Sequence, residues 1–263
     1  MTTVLKLGGE LLEDSAAMKT MAAAVVRLAA RERVVVVHGG GRAIDADLRI
    51  RGLEPQFVDG LRVTDAAALE SVVAVLAGRT NTAFVAALHA SGARAVGLTG
   101  ADTGIGSSRK GAPLTTTTGE RVDLGLVGEL LHAPVTLVQD LSALGYVPVI
   151  ASIGVTADGA LLNVNADTFA AHIASSLRAS RLIIAGATAG VLDASGQTVE
   201  TLTIERVDAM IDSGEAHSGM VAKLRACREA LAHGVTDVAI VAGRGVVDFN
   251  MASGTRLVAP CRV

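Results

Sequence analysis

The chain has 263 residues, half of them hydrophobic, with a formal net charge of −3, one Tyr, four Phe and no Trp. That length and apolar content suffice for a sizeable core in one large α/β domain or two lobes. The lack of a basic surface and of stacking aromatics argues against a nucleic-acid partner, and no uninterrupted apolar run reaches the roughly 18 residues of a membrane helix.

In chain order, MTTVLK runs into Gly8 and Gly9 with no signal-peptide core, which predicts a cytoplasmic protein. Short apolar strand candidates then alternate with longer helical patterns. TVLKL precedes an Ala-rich helix over 16–30, VVVV precedes a helix over 42–52, and a helical stretch over 65–90 leads to ARAVGLTG. Residues 112–130, Thr-rich and alternating around Gly119, Gly125 and Gly128, suit antiparallel hairpins. A helix over 135–145, the strand YVPVIAS, a helix over 166–179, the strand RLIIAG, a helix over 218–233, the strand VTDVAIV and a terminal TRLV complete the chain. This alternation predicts an α/β fold: an open, mostly parallel central sheet with helices on both faces and a β-hairpin insertion. A boundary near 175 would separate two lobes within one continuous sheet. Cys227 and Cys261 have neither CxxC spacing nor His partners at zinc-like intervals, so neither a disulfide nor a structural metal is expected.

Three polar constellations stand out. In VVVVHGGGRAID, Gly39 and Gly41 do not make a dinucleotide fingerprint, because Ile44 occupies the position where that fingerprint needs a small residue. A Walker A loop is absent. What remains is a Gly-lined strand end opening a helix, which serves either as an anion site or as a tight turn. In LKLGG, Lys6 lies within an apolar strand although only four of the 23 basic residues are lysines. A compact ammonium there fits a moving phosphoryl group; the plain alternative is a snorkelling edge lysine. Lys223 follows Gly219 by four residues on a helix, where on its own it reads as a surface lysine. In LLNVNAD, Asn163 and Asn165 share one face of an extended segment, and Asp167 begins a helix either as its cap or as a partner for a lysine.

Together these residues resemble the amino acid kinase family over essentially the full length, and specifically its members that phosphorylate N-acetyl-L-glutamate. The matching stretches are LKLGG (5–9), VHGGG (37–41), DGLRVTD (59–65), LAGRTN (76–81), VGLTGAD (96–102), DLGLVGEL (123–130), GYVPVIASIGVTADG (145–159), LLNVNAD (161–167), SGMVAK (218–223) and GTRLV (254–258). DGLRVTD followed by NVNAD is the specific combination. The resemblance implies phosphoryl transfer from MgATP to the side-chain carboxylate of N-acetylglutamate, in arginine biosynthesis. It implies catalytic roles for Lys6 and Lys223, with Asp167 organising both. Gly8, Gly9 and Gly41 would offer amides to phosphate. Gly39, Gly40, Arg62, Asn163 and Asn165 would hold N-acetylglutamate, Arg62 through a bidentate fork on its α-carboxylate. It also implies an N-terminal lobe, 1–175, for N-acetylglutamate and dimerisation, and a C-terminal lobe, 176–263, for ATP.

Some features depart from the family. Gly186 and Ala187 stand where Ser/Thr-Asp is usual, Ser218 replaces a glycine, and Ala222 replaces a common proline. Ala187 motivates a second reading, a catalytically weakened ligand-binding regulator. The chain starts directly at the first strand, without the N-terminal helix of arginine-inhibited hexamers, so a homodimer insensitive to arginine is expected.

Overall fold

Period-two burial along the first strand decides how the molecule is layered. In β1 (Thr2–Leu7) Val4 packs into one cluster with Phe169, Ile173 and Leu224, whereas Leu5 and Leu7 pack into another with Val25, Leu28 and Phe84. A strand buried on both faces must lie inside the sheet. The computed structural model describes residues 1–116, 119–193, 195–216 and 219–258; Ser218 and Cys261 lie outside the described residues.

The remaining strands of the main sheet are β2 (Arg33–His38), β3 (Ala95–Thr99), β4 (Val147–Ala151), β5 (Arg181–Gly186), β6 (Thr201–Thr203), β7 (Asp237–Ala242) and β8 (Gly254–Val258). Their order is β6-β8-β7-β5-β1-β2-β4-β3. β3, β4, β2, β1, β5 and β7 run parallel, and β8 turns back antiparallel to β7. The expected open, mostly parallel sheet is therefore what forms. β1 carries β2 on one side and β5 on the other, so the chain reverses direction of winding there and opens a crevice at the carboxyl ends of these strands.

The helices are α1 (Ser15–Ala29), α2 (Gly41–Ile50), α3 (Ala66–Ala90), α4 (Thr136–Ala143), α5 (Ala166–Ser176), α6 (Ile204–Asp212) and α7 (Gly219–Ala232). Asp14 caps α1 through the Ala17 amide, and Asp65 caps α3 through Ala68. α1 and α3 cover one face of the sheet, α5 and α7 the other. By length and composition α3 is apolar enough to cross a membrane, but Val72, Leu76, Phe84 and Leu88 are fully buried in the protein's own core. The insertion forms two small antiparallel ladders, 108–110 with 128–130 and 114–115 with 121–122. The sequence signals did not resolve α6, whose cap Thr203 accepts from the Arg206 amide, or the hairpin pairing 153–155 with 161–163.

One irregularity bears on the crevice. Residues Ala74–Asn81 of α3 are π-helical, and this wider turn delivers Asn81 to the end of β2. Its amide nitrogen donates to Val149 O at 2.9 Å and lies 3.0 Å from His38 Nε2. The approach is so close that a Cβ on Gly97 would fall 2.2 Å from the Asn81 side-chain oxygen. His38 Nδ1 in turn lies 3.2 Å from Gly39 O. With Asn81 as donor, Nε2 is the acceptor and Nδ1 carries the hydrogen, so the imidazole is neutral.

Burial pushes the His38 pKa down to about 4, opposed by its hydrogen bond to Gly39. The unfolded chain takes up this proton near 6.5 and the folded protein only near 4. Stability is therefore fully present above pH 6.5 and is lost as pH falls from there towards 4, by roughly 3 kcal/mol from this residue. Urea unfolding at pH 7, 6, 5 and 4 should show this component in the wild type and not in His38→Gln; parallel pH profiles for the two would refute it.

Candidate active site

The crevice is built where three carboxyl-terminal strand ends meet two helix starts. Lys6, level with Val37 of β2 and Ile184 of β5, follows Val4 by two residues and so points to the α5 face of the sheet. Only 6% of it is exposed. Burying an ammonium in mid-sheet is costly without a partner, and α5 supplies one: Lys6 Nζ lies 2.8 Å from Asp167 Oδ1. Lys223 on α7 approaches the other oxygen, Oδ2, at 3.7 Å and donates to Gly219 O at 3.3 Å. One buried carboxylate thus stands between two ammonium groups.

Asp167 is not the cap of α5. Asn165 is, its oxygen accepting from the Asp167 and Thr168 amides at 2.9 and 3.1 Å. Capping leaves Asp167 in the first turn and free to face the lysines. Asn163 donates to Thr64 Oγ1 at 3.0 Å. Both asparagines line the same cavity of about 230 Å³, with Gly39, Gly40, Gly41 and Arg62. A wider cleft of about 630 Å³ shares Gly60, Leu61 and Asn165 with it and extends to Val221, Ala222 and Arg225 of α7.

The glycines divide by function. A Cβ on Gly9 would lie 2.5 Å from Gly40 Cα, so the two loops touch backbone to backbone. A Cβ on Gly41 would meet no atom within 4 Å, so its bareness leaves room in the crevice. The Gly8 amide is engaged by Ala185 O at 2.9 Å and the Gly39 amide by Leu7 O at 3.3 Å, which removes both from the set of donors to an anion. The first-turn amides at Gly40 and Gly41 have no acceptor within α2, whose N-terminal dipole end also favours negative charge.

Arg62, expected to fork on the substrate carboxylate, is partly engaged within the protein itself. Asp59 and Gly60, at φ 46° and 79°, close a two-residue hairpin that pairs Phe57 with Arg62. The guanidinium lies over the Phe57 ring, 4.6 Å from its centroid. Nη2 donates to Asp45 Oδ1 at 2.5 Å and to Gly41 O at 3.2 Å. Nη1 is buried and has no partner among the described residues. The fork is therefore half occupied by the protein itself.

Two residues escaped the sequence reading. Asp45 lies one helical turn beyond Gly41, a spacing that places both on one face of α2. Glu10 Oε1 accepts from the Ala187 amide at 3.0 Å, so the loop with the unusual Gly186 and Ala187 already has a carboxylate beside it. Among the described residues no group of three or more His, Cys, Asp or Glu is placed to hold a metal. Cys227 is buried, and burial first, then Asp167, raises its thiol pKa.

Comparison with known proteins gives one consistent picture. The model of the amino acid kinase family matches residues 1–242. An acetylglutamate kinase of Acidiphilium cryptum is 44% identical over 217 residues, covering 80% of this chain and 72% of the relative. One from Symbiobacterium thermophilum is 40% identical over 250 residues, covering 92% of this chain and 84% of the relative. The crystal structure of N-acetylglutamate synthase from Neisseria gonorrhoeae, complexed with coenzyme A and N-acetyl-glutamate, superposes with a TM-score of 0.82 at 24% identity, covering 98% of this chain and 59% of that one; at that identity the likeness is one of fold.

The buried ion pair has a direct energetic consequence. Asp167→Ala leaves Lys6 buried and unpaired and should lower unfolding free energy by about 3–5 kcal/mol, whereas Lys6→Met with Asp167→Leu should lose much less. Urea denaturation of the single and double variants tests this, and a double variant no more stable than Asp167→Ala would refute it.

Proposed function

The chain belongs to the amino acid kinase family, and we propose that it transfers the γ-phosphoryl group of MgATP to the γ-carboxylate of N-acetyl-L-glutamate, giving N-acetylglutamyl 5-phosphate for arginine biosynthesis. The protein is an ATP-dependent phosphotransferase with a carboxyl acceptor, like the acetylglutamate kinases it matches. The observation that supports this most is the buried carboxylate of Asp167 between Lys6 and Lys223, in the lining of a cavity that Arg62 also lines.

The chemistry follows from these charges. A carboxylate oxygen of the acceptor attacks the γ-phosphorus, the bond to the β–γ bridging oxygen breaks, and ADP leaves with that electron pair. The acceptor is already ionised at neutral pH, so no general base is required. Catalysis is then positioning and electrostatic stabilisation. Lys6 and Lys223 stabilise charge on the transferring group and the leaving oxygen, with Asp167 holding both lysines in place. The amides of Gly9, Gly40 and Gly41 meet phosphate and acceptor oxygens. Arg62, Asn163, Asn165 and the Gly40 backbone hold N-acetylglutamate, Gly39 being engaged by Leu7 and His38. Mg²⁺, carried by the nucleotide, neutralises phosphate charge.

ATP is assigned to the lobe formed by residues 176–263 and N-acetylglutamate to 1–175; the 630 Å³ cleft draws its lining from both, Asp59–Leu61, Asn165 and Thr168 on one side and Ile211, Val221, Ala222 and Arg225 on the other. A cytoplasmic homodimer acting on these two small molecules, without nucleic acid or membrane, completes the proposal.

A hydroxylamine-trap assay with ATP, Mg²⁺ and N-acetylglutamate tests it. Acyl hydroxamate should form, and Lys6→Ala or Lys223→Ala should each cut kcat by roughly two orders of magnitude. Ligand binding without hydroxamate would favour the regulator reading instead. At Ala187 the neighbouring Glu10 carboxylate sets the sign. Ala187→Asp places a second acid beside it, so KM for MgATP should rise while KM for N-acetylglutamate stays nearly constant. A fall in KM for MgATP would mean that the loop lacks a contact which Glu10 does not replace.

A further inference from the structure

The environment of Arg62 implies more than a positive charge awaiting an acid. Its Nη2 has two hydrogens and two acceptors: Asp45 Oδ1 at 2.5 Å and Gly41 O at 3.2 Å. One face of the guanidinium lies against Phe57. Nη1 is buried, has no acceptor among the described residues, and belongs to a side chain only 7% exposed that lines the 230 Å³ cavity. A buried donor left unsatisfied is costly, so this atom awaits an acceptor brought by a ligand.

Resting on the functional reading above, we infer that Asp45 is the positioning residue for substrate recognition: it clamps one arm of Arg62 so that Nη1, and not a two-point fork, meets the substrate carboxylate. Two opposing effects make the assignment testable. As an acceptor, Asp45 fixes the guanidinium and favours substrate binding. As a charge, it repels the incoming carboxylate and partly neutralises Arg62. The short contact and the second acceptor at Gly41 indicate that fixation dominates. Asp45 is also tied to the phosphate side, because it lies one turn beyond the Gly40–Gly41 start of α2, and Gly41 shares the same Arg62 nitrogen. The carboxylate-recognising arginine and the bare amides are thereby held by one helical turn.

The experiment compares wild type, Asp45→Ala and Asp45→Asn by calorimetric binding of N-acetylglutamate without nucleotide, and by steady-state kinetics. Asp45→Ala should weaken N-acetylglutamate binding about ten-fold, the loss typical of a hydrogen bond to a charged group, with KM for MgATP unchanged and kcat within about two-fold. Asp45→Asn keeps an acceptor oxygen for Nη2 and should stay closer to wild type than Asp45→Ala does. Discrimination between N-acetylglutamate and its α-carboxamide analogue should shrink in Asp45→Ala, a change that general loosening of the fold would not produce. Equal affinity in wild type and Asp45→Ala, tighter binding in either variant, or matching rises in KM for both substrates would overturn the inference while leaving the functional reading intact. Wild-type protein that fails to bind N-acetylglutamate would overturn the functional reading itself and this inference with it.

Discussion

A buried lysine at the centre of a parallel sheet can persist only if the fold brings a carboxylate to it, and the contact between Lys6 and Asp167 is the constraint around which the crevice is arranged. It requires β1 to be central, so that Lys6 is covered on both sides by neighbouring strands. It requires α5 to lie on the face that Lys6 shares with Val4, which Phe169, Ala170 and Ile173 secure by packing into the same core. It also requires the α5 cap to be Asn165, one step outside the helix, because a capping Asp167 would be turned towards its own backbone and away from the lysines. The carboxylate then has a second ammonium at hand in Lys223, which arrives from α7 on the same face.

The opposite face of the sheet holds the crevice by neutral means. His38 points towards α3, and the π-helical turn lets Asn81 bind both His38 and the β4 backbone. Gly39 follows directly, and Gly40 is backed by Leu76 of the same turn. Backbone contact between Gly9 and Gly40 joins the ionic and the neutral halves. The site's rigidity thus comes from the sheet and two packed helices, while its floor is peptide groups without side chains. That combination suits an anion-crowded reaction, because fixed dipoles do not have to reorganise as charge moves.

The hairpin insertion closes the third side. Thr64 donates from its amide to Leu124 O and accepts from the Leu126 amide, while the Asn163 amide donates to Leu126 O. The insertion therefore stitches the segment carrying Arg62 to the segment carrying Asn163. Two cavity-lining side chains about a hundred residues apart in sequence are held in register by backbone bonds to a third segment.

Much of this was legible in the sequence, and the division has a physical basis. The alternation of strands and helices, the mostly parallel sheet, the Gly-rich strand ends, the isolated Lys6 and the paired Asn163 and Asn165 are local patterns, carried by side-chain periodicity and by neighbours in the chain. They sufficed to place the fold and the residues of the crevice. What lay beyond them depends on partners brought together only by sheet register and helix packing. The DG turn beside Arg62 is written in the sequence, but that Asp45 and Gly41 O would occupy one of its nitrogens is not. Nor could the sequence reveal that Ala185 engages the Gly8 amide, that Glu10 reaches Ala187, or that α3 widens by a π-turn to deliver Asn81. Periodicity states which face a residue occupies, whereas a hydrogen bond depends on the distance between two particular atoms, and that distance is decided only when every layer of the structure has packed.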